Sequence, residues 1–216
     1  GIDPGWTCDI LPLFLHSISA GVTEVRSQEL FNYALYDQPE AVRTLVGFGM
    51  PMDQTPPMVL DISLQMVWGP VVRVLADGLG IELDRIETRV EKRPLERTVP
   101  VDGMGDFEQG TIGALRFEVE GVSAAGPRIV MEHITRIDDG CAPDWPYPPE
   151  GQGAHRVIIS GHPNLTVSVH GTELGEPGAA GGGNATAANR IVNAIPAVCA
   201  APPGVLHPLD LPPNSR

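Results

Sequence analysis

The sequence predicts an α+β fold, a largely antiparallel, mixed sheet with helices packed at its face and ends. Three observations predict it. Apolar residues recur at helical spacing near both ends of the chain. Residues 85–170 turn instead to β-branched, alternating segments. Glycine, proline and asparagine punctuate that stretch at 124–126 and 161–164, where hairpin turns are expected.

The elements follow in order. Thr7 is placed to cap a helix running to about residue 20, with Asp9 near its positive end, Ile10, Phe14 and Ile18 as its apolar stripe and Gly21 as its end. Residues 22–36 read as a strand, and residues 39–46 as a short helix with Pro39 at its start. Residues 59–79 read as one long helix, kinked at Pro70. It is apolar around most of its circumference, which calls for deep burial or an interface and predicts a dimer. Strands are expected over 85–101, 111–123, 128–138, 155–160 and 165–170, with a proline-rich loop over 141–153 between the two hairpins. A glycine-rich linker over 175–183 leads to a last helix over 186–201, kinked at Pro196, and an extended tail over 202–216.

Composition excludes several function classes. The formal charge is −13, from 14 basic and 27 acidic residues, so the basic footprint of a nucleic-acid binder is missing. Lys92 is the sole lysine, so a mechanism needing a catalytic lysine has one candidate. No apolar run is long enough to span a membrane. Cys8, Cys141 and Cys199 match neither a disulfide framework nor zinc spacing, and a cytoplasmic setting is expected. The opening Gly1-Ile2-Asp3-Pro4-Gly5-Trp6 reads as the interior of a longer protein whose preceding segment has been removed.

The chain offers little chemistry of its own. A dinucleotide fold needs Gly-x-Gly-x-x-Gly between strand and helix, and none occurs. Gly181-Gly182-Gly183 precedes a helix, but a flexible linker explains it better. The six histidines form no metal set, so no metal is expected. His133 falls on the strand face that carries Ile129, Met131, Thr135 and Ile137, where a satisfied core histidine is the commoner outcome and a pocket wall the rarer one. Glu132 and Arg136 share the opposite face and read as a cross-strand or sheet-surface ion pair. Glu29 has no evident carboxylate partner, and neither has Asp138-Asp139. No nucleophile elbow or cysteine–histidine pair appears.

Three segments resemble one family. The opening Gly1-Ile2-Asp3-Pro4-Gly5-Trp6 with Asp9 resembles the segment that begins the second domain of dihydrodipicolinate reductase-like proteins, and Val130-Met131-Glu132-His133 resembles their central strand. Ala185-Thr186-Ala187-Ala188-Asn189-Arg190, continuing through Val192-Asn193-Ala194-Ile195-Pro196-Ala197-Val198-Cys199 to Pro202-Pro203-Gly204 and Leu209-Asp210-Leu211-Pro212, is similar to the end of the 2,4-diaminopentanoate dehydrogenase and native amine dehydrogenase branch. Asp3 and Trp6 stand where that family usually has Asn and Phe. The His-His motif, lysine and Pro-Ser-Gly-Thr run of true dihydrodipicolinate reductases are missing, which argues against lysine biosynthesis.

The resemblance implies that residues 1–216 are the substrate-binding and dimerisation domain of a two-domain Rossmann-type dehydrogenase. NADP or NAD would be bound mainly by an N-terminal domain outside this chain. The expected reaction is hydride transfer between nicotinamide and an imine or amine carbon, on a small amine or carbonyl substrate, in a homodimer. The family's catalytic carboxylate lies upstream, so no catalytic residue is expected here. Asp3, Pro4 and Gly5 are the expected cofactor contacts, and Trp6, Tyr33, Tyr36, His133 and Thr172 the expected substrate wall. Ordinary packing aromatics account for Tyr33 and Tyr36 equally well. Two rival readings are a non-catalytic ligand-binding or dimerisation module and a sugar or inositol dehydrogenase-like protein. The latter needs a polar pocket with a lysine and a histidine.

Overall fold

The strands of the computed structural model, which describes residues 1–172 and 179–213, are β1 (Ala20–Asn32), β2 (Arg85–Pro94), β3 (Val99–Val101), β4 (Gly105–Phe107), β5 (Ile112–Val122), β6 (Arg128–Arg136), β7 (Gly153–His162) and β8 (Leu165–Val169). Six of them form one sheet in the order β2-β5-β6-β1-β7-β8, while β3 and β4 make a separate ribbon. β1 runs parallel to β6, and every other pair in the large sheet is antiparallel. The α+β reading therefore holds. Both expected hairpins are present, joining β5 to β6 and β7 to β8.

The helices are α1 (Ile10–His16), α2 (Asp61–Val67), α3 (Gly69–Leu79) and α4 (Ala179–Ala200). α1 is shorter than expected and differently capped. The Asp9 carboxylate accepts from Ile10 N at 2.5 Å, so Asp9, not Thr7, starts it. It stops at His16 because the chain enters β1 at Ala20, and Gly21 lies within that strand at φ 57°. Of the expected stripe only Ile10 is buried; Phe14 and Ile18 are exposed. The strand expected to reach residue 36 ends at Asn32, whose side chain caps a 3-10 turn over Tyr33–Leu35. Residues Ala41–Val46 form a π-helical turn closed by Gly47 at φ 84°.

The single helix expected over 59–79 is two helices. Pro70 has no amide hydrogen to continue the α2 ladder and instead opens α3, with Trp68 at the break. Leu64, Val71, Val72, Leu75 and Ala76 face the core, whereas Ile62 and Met66 stand exposed on α2. The linker reading also needs correction. Residues 179–183 are the first turns of α4, where Gly183 lies against the Phe31 ring, and residues 175–178 lie outside the described residues. Packing against β1 and β7 explains why a glycine-rich run is helical here. Pro196 lies inside α4. The tail is interrupted by a 3-10 turn over Pro208–Asp210. Among the described residues no helix is long and apolar enough to cross a membrane.

One sheet face carries Val25, Met131, Phe117 and Val119 against α1 and α3. The other carries charge, and the expected Glu132–Arg136 pair is absent from it. Glu132 is buried and accepts instead from Arg26 Nη1 at 2.7 Å, Arg116 Nε at 2.8 Å and Gln28 Nε2 at 2.6 Å, reaching across to β1 and β5. Arg136 is equally buried and turns to the loop after β6, donating to the carbonyls of Cys141, Ala142 and Trp145.

Candidate functional site

Strand register builds the site. Glu29 on β1 stands opposite His133 on its parallel neighbour β6 and opposite His155 on its antiparallel neighbour β7. Residues in register share a face, so one row across three strands reads His133, Glu29, His155. Phe117 extends it, in register with His133 and stacked on it at 4.8 Å between ring centres. Trp68, at the α2–α3 break, packs edge-on against Phe117 at 4.6 Å and His133 at 5.8 Å.

The opening turn then brings a second carboxyl over this row. Trp6 N donates to Gly1 O, Thr7 N to Ile2 O, and both Cys8 N and Asp9 N to Gly5 O. These bonds close residues 1–9 on themselves and turn Asp3 toward Trp68, whose Nε1 donates to Asp3 Oδ1 at 3.0 Å. Ligand atoms of Asp3, Glu29 and His155 all lie within 4.8 Å of one another. They line a cavity of about 150 Å³ together with Tyr33, Tyr36 and Asn184 of α4.

The electrostatics separate the two carboxyls. Burial would raise Glu29, but His133, His155 and the Tyr33 hydroxyl outweigh it and hold Glu29 below the ordinary carboxylate range. Tyr33 Oη donates to Glu29 Oε1 at 3.0 Å, His133 Nε2 lies 3.5 Å from the same oxygen, and His155 Nε2 lies 3.8 Å from Glu29 Oε2. Burial first, and then the Glu29 charge, push Asp3 upward. Burial lowers His155, yet the adjacent Glu29 more than reverses that and raises it. The Tyr33 hydroxyl is pushed well up by burial and by Glu29, so it stays a donor. At neutral pH the site holds an ionised Glu29 beside an Asp3 that resists ionisation.

Asp3, Tyr33, Tyr36 and His133 thus gather around Glu29, and the first three line the cavity while His133 packs beneath it. Pro4, Gly5 and Trp6 do not line it. They border a separate groove of about 560 Å³ with Arg190, Ile191 and Ile195 of α4. Thr172 is exposed and lines neither space. Lys92 is remote from both: its Nζ donates to the carbonyls of Met52 and Gln54. The lysine that a sugar dehydrogenase-like pocket needs is therefore elsewhere. Sequence reasoning set Glu29 aside for want of a carboxylate partner, which the fold supplies in Asp3, and it missed His155. Their partnership exists only through the β6-β1-β7 pairing, which no local pattern encodes. Glu29, a charged residue between the apolar-flanked Val25 and Leu30–Phe31, was the available signal.

Replacing Trp68 by phenylalanine keeps an aromatic edge against Phe117 and removes the donor to Asp3. Trp68→Phe is expected to lose about 1–2 kcal/mol of stability, read by urea unfolding with an unchanged m-value.

Residues 8–215 match the family described as 2,4-diaminopentanoate dehydrogenase C-terminal domain. A curated protein of Streptomyces virginiae named amine dehydrogenase is 49% identical over 213 residues, covering 98% of this chain and 59% of that protein. The chain thus spans about 59% of that relative's length. The solved amine dehydrogenase of Mycobacterium smegmatis superposes with a TM-score of 0.64 at 19% identity, over 96% of this chain and 56% of that one, a likeness of fold. The chain belongs to the 2,4-diaminopentanoate dehydrogenase C-terminal domain family.

Proposed function

We propose that this chain is the substrate-facing domain of a nicotinamide-dependent amine dehydrogenase. One observation carries the reading: an ionised Glu29 and a second carboxyl, Asp3, face a small cavity whose lining, among the described residues, includes no lysine or arginine. A cavity walled by Phe31, Tyr33 and Tyr36 and carrying the Glu29 carboxylate suits a primary ammonium. The family and the name of the Streptomyces virginiae relative support the same chemistry.

In this reading NAD or NADP, held mainly by a dinucleotide-binding domain outside residues 1–216, exchanges hydride with the amine-bearing carbon. The residues of this chain do the positioning. Glu29 holds the ammonium, and Tyr33 fixes one Glu29 oxygen so that the other faces the cavity. Asp3, kept in place by Trp68 on the cavity wall, offers a carboxyl that suits the nicotinamide carboxamide, and the Pro4-Gly5 turn brings backbone close beside it. A homodimer would cover the exposed Ile62 and Met66 of α2.

The test is turnover by the whole protein that carries this chain. Reduction of NAD or NADP in the presence of primary amines supports the reading. Amine binding without turnover of either cofactor overturns it in favour of a non-catalytic module.

Trp6 supplies a finer check, because the groove it borders adjoins the cavity through the Asp3-Pro4-Gly5 turn. Trp6→Ala is expected to shift preference toward bulkier amines by roughly 10–200-fold, the worth of one or two methylenes of fit. A staple of the core would instead lose roughly 3–5 kcal/mol of stability and lower all substrates together. Kinetics over an amine size series, with a melting curve, separates the two.

A further inference from the structure

We propose that Asp3, Glu29 and His155 form a binding site for one small divalent cation of the zinc class. The three donor atoms come from three separated parts of the chain, the opening turn, β1 and β7, and converge within 4.8 Å. They face one cavity. Ligands at about 2.0–2.2 Å around zinc sit roughly 3.2–3.6 Å apart, so the existing spacing closes on an ion with side-chain movements of about an ångström.

His155 is the independent observation. It is 5% exposed, lines the cavity, and its ring makes no hydrogen bond with the described residues, since 3.8 Å to Glu29 Oε2 is too long for one. A buried imidazole whose charge partner Glu29 stands 3.8 Å away, both facing a cavity shared with Asp3, leaves room between the donor atoms for an ion. The carboxyls also have the outer support that ligating groups need. Tyr33 Oη holds Glu29 Oε1 and Trp68 Nε1 holds Asp3 Oδ1, which fixes each group's orientation from behind. One nitrogen and two oxygens with a fourth direction open to the cavity suit zinc and its neighbours. Magnesium and calcium, which take six or more oxygens, are not suited.

This inference goes beyond the amine reading. An ammonium and a cation use the same lone pairs, so zinc excludes the amine and inhibits competitively. The experiment titrates zinc into the whole protein that carries this chain, freed of metal by chelator and without cofactor or amine, by calorimetry. Expected are one equivalent bound and a raised melting temperature. Magnesium is expected to do neither. Glu29→Gln and His155→Gln, each checked for folding by circular dichroism, are expected to weaken zinc roughly tenfold or more, while Cys199→Ser leaves it unchanged. Failure to bind zinc overturns the site. So does binding that survives both site variants or disappears with Cys199→Ser, since the exposed thiol would then be the ligand. Because binding is read without turnover, a failed zinc titration leaves the amine reading standing, and an inactive enzyme leaves the zinc site standing.

Discussion

Glu29→Gln is expected to lower kcat/KM for primary amines by roughly 30- to several-thousand-fold, with the melting temperature nearly unchanged. The size follows from what the substitution removes. Glutamine keeps the shape of the side chain and its acceptor toward Tyr33 Oη, so packing under the cavity survives. The charge does not survive. An ammonium entering the cavity then meets a neutral amide, an Asp3 that resists ionisation and a histidine. Taking the partner from a buried charge costs about 2–5 kcal/mol, and each 1.4 kcal/mol is about tenfold. Most of the loss should appear in KM if Glu29 only binds, and in kcat as well if it also sets the angle of the amine to the nicotinamide. Glu29→Asp retains the charge but withdraws it by one methylene, and is expected to recover part of the loss. Steady-state kinetics of the whole enzyme decides the matter. A Glu29→Gln enzyme within threefold of the parent would place the ammonium elsewhere.

Why the partners of Glu29 were invisible in the sequence, while the sheet around it was not, has a physical reason. Strands announce themselves through local alternation and turn chemistry, so the β5–β6 and β7–β8 hairpins were legible from Ala124-Ala125-Gly126 and Gly161-His162-Pro163-Asn164. β1 pairs instead with β6 and β7, more than a hundred residues away. Its register is chosen by burial of Val25, Phe31, Met131 and Val157, not by any turn. Only that register sets Glu29 between His133 and His155. The same limit explains Glu132. Its spacing from Arg136 placed the two on one face, yet its partners Arg26 and Arg116 come from neighbouring strands. The α2–α3 break is the opposite case. Pro70 is a local signal, and it was underweighted because apolar spacing continued across it. The helical glycines at 181–183 show tertiary packing overriding weak propensity.

Arg136 carries the second large effect, this time on stability. Its guanidinium is buried at the end of β6, where Nε donates to Cys141 O at 3.0 Å and Nη2 to Ala142 O at 3.1 Å and Trp145 O at 3.0 Å. Its plane lies over the Tyr147 ring at 4.0 Å. Burial holds its pKa below the ordinary arginine value, but the charge is spread over the carbonyl dipoles that surround it. One side chain thus organises the proline-rich loop between β6 and β7, whose own backbone has few partners. Arg136→Met fills much of the same volume and removes every donor. Each orphaned carbonyl costs about 1–3 kcal/mol, offset in part because the buried charge is gone as well. A net loss of roughly 3–5 kcal/mol is expected, or about 6–20 °C in Tm for a chain of this size. Arg136→Lys should recover less than half, since a single ammonium cannot span three carbonyls set for a planar fork. Amide exchange locates the damage: residues 138–152 are expected to lose protection before β1 or β5 does. The loop leads straight into β7, so Gly153 to His155 loosen with it and activity falls alongside stability. If Arg136→Met melted within about 3 °C of the parent, with exchange in 138–152 unchanged, the loop would be held by its prolines and by Trp145, and the guanidinium would be incidental.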